Sequence, residues 1–266
     1  LAAGIDSGVI TANTTYDDKG FRIINTKRIA NFDGKARGVV PMQEILNQSL
    51  NTGTMFVMDR LGKDKFREYF KAYGLGKETG IDLPNESVGD IRNLESPRDI
   101  EYATASFGQG ISMTPIGTIR ALASLGNGGV LVTPHVVKRT EYGIGPSRDF
   151  VASGEKRVLK KETSAEISRM LTVVVDKALA GGTLKMEHYS IAAKTGTAQL
   201  VEAGVYSKTD YLHTFFGYFP SYDPKFIVFL AVKNPRGEAY ASHTLSKPFM
   251  QITKFLLNYY EVPPDR

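Results

Sequence analysis

The chain has 266 residues, a formal net charge of +5 and a hydrophobic fraction of 42%. That length suits one large α/β domain or two small ones, and the composition is that of an ordinary globular protein. The absence of cysteine excludes disulfides, zinc–thiolate sites and cysteine nucleophiles. Basic residues form no run interleaved with aromatic residues, so a nucleic-acid partner is not expected.

The histidines and the ends of the sequence exclude further classes. The four histidines are far apart, form no spaced ligand pair and are interpreted as isolated structural residues, so no metal or other cofactor is expected: His135, His188, His213 and His243. No apolar stretch is long enough to cross a bilayer, and no signal peptide opens the sequence. Leu1 is not an initiator methionine, and the residues after it read like the end of a helix. We therefore expect a fragment of a longer protein.

The first elements are short strands, followed by helices. Residues 1–40 are rich in Thr, Asn, Asp and Gly and are predicted to form short strands and loops. A helical pattern begins at Pro41 and is interrupted by the poor helix formers of Ser49–Gly53. An amphipathic helix follows and is predicted to stop at Gly74. Residues 76–112 are predicted to be a long ordered loop.

Two helices and a strand are predicted in the middle of the chain. The first helix is Pro115–Leu125, with proline at its first position and Thr114 as its N-cap. Val130–Lys138 follows as a predicted strand. The second helix is Thr163–Ala180, which opens with a Thr-Ser-Ala-Glu capping box and stops at the two glycines after it.

Three strands and a last helix complete the prediction. The strands are Ser190–Gln199, Tyr211–Phe219 and Phe226–Val232, joined by loops that favour antiparallel hairpins. The third strand is a continuous apolar run, which indicates a central strand covered on both faces. Thr244–Tyr260 is the last helix, with an apolar stripe expected to lie against the sheet: Leu245, Phe249, Ile252, Phe255, Leu256 and Tyr259. The predicted fold is α/β of the α+β type, with an antiparallel sheet covered by helices plus an all-helical subregion, within one domain of residues 1–266.

The strongest chemical motif lies on the first of these strands, in Lys194–Gln199, with the sequence Lys-Thr-Gly-Thr-Ala-Gln. Side chains alternate along a strand, so Lys194 and Gly196 point one way and Thr195 and Thr197 the other. Two hydroxyls on one face suit a substrate carboxylate, and Lys194 adds positive potential beside it. The backbone N–H of Thr197 is suited to a developing oxyanion if the strand edge is open there.

A second motif, Ser49-Leu50-Asn51, lies at the predicted break between helices. Its hydroxyl is placed to relay a proton, and its amide to orient a catalytic lysine or a substrate carbonyl. Taken alone, Ser-x-Asn is common, and a local turn or cap is the favoured interpretation. Phe107–Pro115, which contains Gly-Gln-Gly, predicts a glycine-rich turn into a helix and lacks the lysine and glycine spacing of a phosphate-binding loop.

Together these motifs resemble the transpeptidase domain of class B penicillin-binding proteins over nearly the whole chain. Lys-Thr-Gly and a serine-containing triplet belong to one known signature of penicilloyl enzymes. The matching stretches occur in the family's order: Ser49–Asn51, Gly74–Gly76 with Thr79–Pro84, Phe107–Pro115, Lys194–Gln199 and His213–Pro220. Asn234–Gly237 and the last strand pair resemble the division-type members more than the elongation-type ones.

The resemblance implies a penicillin-binding/β-lactamase-like fold and a peptidoglycan D,D-transpeptidase. Ser49, Asn51 and Lys194 would be catalytic: Ser49 passes a proton and Asn51 positions the donor peptide. Thr195, Gly196 and Thr197 would form the substrate-binding strand. The implied partners are the D-Ala-D-Ala stem peptide, β-lactams and proteins of the cell-wall synthesis complex. The implied location is the extracytoplasmic face of the bacterial cell membrane, reached through an upstream anchor.

One part of the family pattern is missing. Family members carry Ser-x-x-Lys at the start of a helix, and Leu1–Ile10 resembles the end of that helix and the following loop. The nucleophilic serine, the base lysine, a pedestal domain and the anchor are therefore expected outside this chain, which alone should form no adduct with penicillin. A Ser-x-x-Lys match at Ser153–Lys156 stands in the wrong order and is not expected to be catalytic.

Other interpretations remain open at this stage. A non-catalytic penicillin-sensing or wall-binding module would share the fold, and the presence or absence of Ser-x-x-Lys before Leu1 would decide. A serine β-lactamase or D,D-carboxypeptidase is also compatible, although a β-lactamase needs a deacylating base and no candidate carboxylate motif stands out. Coincidental motifs in a generic α/β domain would not explain their shared order.

Overall fold

The structure, a computed structural model, describes residues 1–151, 154–202 and 204–266. Its helices and antiparallel strands confirm the α+β class. The helices are α1 (Ala2–Asp6), α2 (Met42–Gln48), α3 (Asn51–Leu61), α4 (Lys63–Ala72), α5 (Asp99–Ala105), α6 (Pro115–Ala123), α7 (Lys161–Val173) and α8 (Ala241–Tyr259). The strands are β1 (Thr15–Asp18), β2 (Phe21–Ile24), β3 (Lys27–Ala30), β4 (Gly38–Pro41), β5 (Val130–Leu131), β6 (Arg139–Thr140), β7 (Arg148–Asp149), β8 (Lys156–Arg157), β9 (Ala192–Glu202), β10 (Val205–Phe219) and β11 (Phe226–Lys233).

A three-stranded antiparallel sheet in the order β11–β10–β9 organises the C-terminal part of the chain. The central strand is β10, which places His213 opposite Thr197 on β9 and Phe219 opposite Phe226 on β11. The sequence predicted that the apolar run Phe226–Val232 would be central, and this is wrong. Within the described residues β11 pairs with β10 alone, and its apolar side chains are half-buried over Phe226–Leu230 and exposed at Ala231 and Val232 rather than covered on both faces.

Helix α8 covers one face of the sheet. The ring of Phe249 stacks on Phe215 of β10 at 4.3 Å between centroids, and Gly217 permits this approach because a Cβ there would lie 2.5 Å from the Phe249 ring. The predicted stripe is wrong at Phe255 and Tyr259, whose side chains are 61% and 69% exposed. The helical period was right, but the buried face is rotated: Ala241, Leu245, Ser246, Phe249, Met250, Thr253 and Leu257.

The opposite face of the sheet packs on α2 and α7. Ala192 and Tyr218 lie in one core cluster with Ile45 of α2 and Met170 of α7. Ala193, the next residue of β9, lies instead in the cluster that contains α8. Successive residues of β9 therefore face different helical layers, as strand geometry requires. A further core joins α3, α4 and α5 into the all-helical subregion.

Two predictions in the middle of the chain are wrong. The predicted loop 76–112 contains α5, whose second N–H is capped from elsewhere, because Asn25 Oδ1 accepts from Ile100 N at 3.1 Å. A helix stabilised by a distant cap leaves little local signal. The predicted strand Val130–Lys138 is reduced to β5, which pairs with β8 and ends before Pro134.

The start of α7 also differs from the prediction. Thr163 lies inside the helix and donates to the Asp6 carboxylate at 2.9 Å, so the predicted capping box is wrong. Glu166 accepts instead from Arg169 at 2.7 Å. The predicted end at Ala180 is also wrong, because α7 ends at Val173, a π-helical turn covers Val174–Ala178 and Leu179 is extended, although Gly181 and Gly182 do have positive φ. None of the helices in the described ranges is both long enough and apolar enough to cross a membrane.

Candidate active site

The first wall of the candidate site is the junction between α2 and α3. Ser49 ends α2 in the left-handed region, with φ 55° and ψ 50°, and its N–H bonds to the Ile45 carbonyl. Leu50 follows as a fully buried anchor, and Asn51 is already the first residue of α3. The predicted break is therefore present but shorter than Ser49–Gly53. Few residues other than glycine adopt Ser49's conformation, so surrounding structure must hold it there.

The second wall is β9, which brings Lys194 to Ser49. Lys194 Nζ lies 3.1 Å from Ser49 Oγ and 2.9 Å from the carbonyl oxygen of Thr195. Both hydrogen bonds, as far as the described chain goes, end on uncharged oxygens. Burial of the ammonium group lowers the pKa of Lys194 from 10.5 to about 8. A lysine held in this way, without a carboxylate partner, is suited to attract an anionic ligand.

The two threonines of the motif lie on the other side of β9. Thr195 and Thr197 share the face that packs on α8, whereas Lys194 faces the helical layer that carries Ser49. The predicted alternation is therefore present. Thr197 Oγ1 accepts the first N–H of α8, from Ala241 at 3.1 Å. Because its oxygen is the acceptor there, its hydroxyl proton stays available to a ligand.

Gly196 is required by close packing between β9 and β10. A Cβ at this position would lie 2.5 Å from the hydroxyl of Thr214, its cross-strand partner. Its backbone is extended, so the need for glycine is steric rather than conformational. Any side chain here would push the motif strand away from β10.

Asn51 is held by the β2–β3 hairpin. Its Nδ2 donates to the carbonyl oxygen of Ala30 at 2.9 Å, and its side chain is half-buried. One amide proton is therefore committed to the protein, while the amide oxygen remains an acceptor for a ligand or a lysine. The chemical roles assigned to Ser49, Asn51 and Lys194 from the sequence remain predictions.

An aromatic pair connects the two walls at their rim. The ring of Phe32, just after the β3 strand, meets that of Tyr240 edge to face at 5.8 Å. Tyr240 directly precedes Ala241, which bonds Thr197. The two rings are 59% and 44% exposed, so the cleft between the walls is bordered by accessible aromatic surface.

Sequence reasoning missed a buried polar group behind Ser49 and Asn51. Asp18, Asn31 and Thr52 are 1%, 3% and 3% exposed and are hydrogen-bonded to one another. Asp18 lies in β1 and Asn31 directly follows β3, and the side chains that they bond are distant in sequence, so local sequence offers no signal. The Ser-x-Asn motif predicted a site at Asn51, but nothing in the sequence indicated which side chains fix the position of Asn51.

The sequence analysis interpreted His213 as an isolated structural residue, without a link to the motif strand. It is fully buried, lies opposite Thr197 across the strands, and its Nδ1 is 2.9 Å from Thr244 Oγ1 of α8. Burial is the main influence on its pKa and lowers it, while the Ala239 backbone and Glu238 act in the other direction. The proximity of His213 to Thr197 could be inferred from the sequence only if β9 and β10 were paired in the correct register.

Other sequence motifs lie apart from the cleft. Phe107 and Ile111 pack in the core of the all-helical subregion, and Thr114 caps α6 as predicted by accepting from Gly117 N at 3.2 Å. Ser153, the first residue of the out-of-order Ser-x-x-Lys match, lies outside the described residues. In the part of the chain that the structure describes, no three His, Asp or Glu side chains are grouped to hold a metal.

Comparison with known proteins places this geometry in a family. A family model described as the penicillin binding protein transpeptidase domain matches residues 1–254. The chain belongs to the penicillin-binding protein transpeptidase family, which confirms the recognition made from the sequence motifs.

Individual relatives agree with this assignment. Stage V sporulation protein D of Bacillus subtilis is 34% identical over 255 residues, covering 94% of this chain and 39% of that protein. The probable peptidoglycan D,D-transpeptidase PenA of Neisseria meningitidis is 28% identical over 223 residues, covering 84% of this chain and 37% of its own length. The chain thus spans less than half the length of these two curated relatives.

The fold is also similar to solved structures. Penicillin binding protein 3 from Mycobacterium tuberculosis, complexed with aztreonam, matches with a TM-score of 0.90 at 25% identity. The match covers 100% of this chain and 61% of that one. The predicted penicillin-binding transpeptidase fold is therefore confirmed.

Proposed function

We propose that this chain is the greater part of a serine-type peptidoglycan D,D-transpeptidase domain that cross-links stem peptides and binds β-lactams. The observation that carries the proposal is the 3.1 Å contact between Lys194 Nζ and Ser49 Oγ, which joins two separate motifs in one cleft. The kinship with proteins named as D,D-transpeptidases supports the same reaction class. The similarity to solved penicillin binding protein 3 complexes with aztreonam and with ampicillin supports β-lactam binding.

The proposed donor peptide enters with its terminal carboxylate toward β9. The hydroxyls of Thr195 and Thr197 donate to that carboxylate, and the ammonium of Lys194 supplies positive potential beside it. Asn51 contributes its free amide oxygen to the donor peptide. The backbone N–H of Thr197 and that of the nucleophilic serine form the proposed oxyanion hole, in which one donor typically contributes about 10²–10³ in rate.

The proposed reaction has two acyl-transfer steps. A serine N-terminal to Leu1 attacks the D-Ala–D-Ala carbonyl, and a lysine near it accepts the hydroxyl proton. The peptide C–N bond breaks, Ser49 passes its proton to the leaving amine of D-Ala, and the protonated lysine returns a proton to Ser49. Ser49 is suited to this step because its oxygen accepts from Lys194, which leaves its own proton free. An acceptor amine of a second stem peptide then attacks the ester, the C–O bond to the serine breaks as the amide cross-link forms, and the proton lost by the amine passes through the lysine to the serine oxygen.

Partners and location follow as part of the proposal. The name of the sporulation relative, together with the resemblance of Asn234–Gly237 to division-type members, favours sporulation- or division-type wall synthesis. We therefore infer an extracytoplasmic site of action and association with other cell-wall synthesis proteins. A membrane anchor would belong to sequence outside residues 1–266.

Fluorescent penicillin tests the proposal. The full-length protein should form a covalent adduct on a serine N-terminal to Leu1, and the 1–266 chain alone should form none. Covalent labelling of Ser49 or Ser153 would overturn the proposed roles. Reversible binding without an adduct in the full-length protein would favour a penicillin-sensing module, and rapid nitrocefin turnover would favour a β-lactamase.

A further inference from the structure

A network of buried polar side chains lies directly behind the Ser49–Asn51 wall. The Asp18 carboxylate accepts from Gly20 N at 2.9 Å, from Asn31 Nδ2 at 3.0 Å and from Thr52 Oγ1 at 2.7 Å. The hydroxyl of Tyr16 approaches Thr52 Oγ1 at 3.3 Å from the other side. The Asp18, Asn31 and Thr52 side chains are almost completely buried, so each hydrogen bond is formed away from competing water.

This network caps the helix that carries Asn51. The N-cap residue of α3 is Leu50, whose side chain cannot accept a hydrogen bond. Asn31 takes over that function from a distant loop, because its Oδ1 accepts the backbone N–H of Thr52 at 3.2 Å. The Asp18 carboxylate lies beside the same helix N-terminus, where a negative charge complements the helix dipole. The start of α3 is thus fixed by side chains from outside the helix.

Two further hydrogen bonds join residues 18–37 to the Ser49–Asn51 wall. Asn51 Nδ2 donates to Ala30 O at 2.9 Å, and Arg37 Nε donates to Gln48 Oε1 at 2.9 Å. Residues on both sides of Ser49 are therefore tied to residues 18–37. Ser49 itself occupies the left-handed region, which a serine leaves readily unless its neighbours are fixed.

We propose that Asp18 and Asn31 are positioning residues that hold Ser49 and Asn51 in their reactive geometry. They touch no substrate. Their carboxylate–amide pair fixes Thr52, Thr52 fixes the first turn of α3, and that turn fixes the left-handed Ser49 against Lys194. The inference rests on the proposed transpeptidase function for its kinetic test, but its geometric part applies to residues 1–266 alone.

The kinetic test compares three variants of the full-length protein in penicillin acylation. Asp18→Asn can keep an oxygen at Oδ1, which accepts from Gly20, Asn31 and Thr52, but it places an NH₂ group at Oδ2, which accepts only from Asn31 Nδ2. Two donors then oppose each other, and the negative charge beside the start of α3 is lost. Because misplacement of a reacting group by about 1 Å costs about 10²-fold, we expect acylation to slow by about 10- to 100-fold with non-covalent affinity less affected. The double variant Asp18→Asn/Asn31→Asp exchanges the two groups, restores one amide–carboxylate pair and should recover most of the lost rate.

A matched control separates positioning from general stability. The Glu86 carboxylate also accepts hydrogen bonds from two backbone N–H groups, that of Thr79 at 2.8 Å and that of Gly80 at 3.1 Å. Both of these partners lie outside the cleft. Glu86→Gln makes the same chemical change and should leave acylation unaltered below the melting temperature. Equal acylation in Asp18→Asn and wild type, or no recovery in the double variant, would overturn the inference.

A second readout remains valid even if the wild-type protein takes up no penicillin, which would refute the proposed function. In the full-length protein, NMR titration of the Lys194 side chain should have its midpoint near the pKa of about 8. Asp18→Asn should move the midpoint toward 10.5, because a displaced Ser49 segment would let water reach the ammonium group. A midpoint that stays near 8, together with unchanged Ser49 resonances, would contradict the positioning role.

Discussion

The two walls of the cleft are held by different forces. Lys194–Thr197 lies in a strand whose position is set by a continuous backbone register with β10 and by packing on both helical layers. Ser49–Asn51 lies at a helix junction that is set by individual side-chain hydrogen bonds from residues 18–37. The strand wall therefore rests on many backbone hydrogen bonds, whereas the junction wall depends on a few buried polar groups.

The features that place the functional atoms at the cleft are not the ones that stabilise the fold. Lys194 is buried at a cost, since its lowered pKa means that folding disfavours the charged ammonium. Ser49 is held in a conformation that few residues other than glycine adopt. Both features oppose folding slightly, and both place functional atoms at the cleft, which is the pattern expected of a binding or catalytic site.

The largest expected effect is that of Lys194→Ala in the full-length protein. Penicillin acylation should fall by about 10² or more, comparable with loss of a preorganised electrostatic group. The melting temperature should stay the same or rise, because the buried charge opposes folding. Lys247→Ala, at an exposed position of α8, is the control and should change neither quantity. A loss of stability without a loss of acylation would reverse this account of Lys194.

A methyl group behind the junction wall should disturb stability next most strongly. Gly53→Ala would place a Cβ 2.4 Å from Ile45 and 2.8 Å from the hydroxyl of Tyr16. Overpacking of this kind typically costs about 1–3 kcal/mol, measured by denaturant unfolding. Gly143→Ala is the matched control, since a Cβ there meets nothing within 4 Å. Equal unfolding free energies for both variants would mean that the junction is softer than the structure indicates.

Thr197→Val tests the strand wall with a smaller change. It removes the hydroxyl while keeping the shape, so acylation should fall by about tenfold, in line with a hydrogen bond to a charged group. The first turn of α8 should also lose about 1 kcal/mol, because Ala241 N–H loses its acceptor. Thr197→Ser keeps the hydroxyl and should retain both properties. A valine variant with wild-type acylation would remove Thr197 from the carboxylate site.

The smallest expected effect concerns pH and His213. Burial lowers its pKa below the ordinary 6.5, so the unfolded chain takes up a proton first as the pH falls. The stability contributed by neutral His213 is complete above 6.5 and declines below that value. His213→Asn should therefore unfold with a shallower loss of melting temperature between about pH 6.5 and 5 than wild type. Parallel curves would show that the imidazole does not titrate on unfolding in this range.

The strand wall was largely predictable from sequence, and the junction wall was not. Alternation in a strand is a strict local rule, so the opposite directions of Lys194 and Thr197 followed from their spacing. The edge position of β11 could not be predicted in this way, because the pairing of strands depends on residues that are distant in sequence. Residues such as Asp18 and Asn31 act across a long separation in sequence, and nothing in their own neighbourhood marks them.

The central claim is that a ligand carboxylate binds between the two walls. The most direct test is a crystal structure of the full-length protein acylated by a β-lactam. We expect the lactam carboxylate within hydrogen-bonding distance of the Thr197 hydroxyl, beside the ammonium of Lys194, with Ser49 facing the former leaving-group nitrogen. A carboxylate bound away from Lys194 and Thr197, with these residues facing only water, would contradict it.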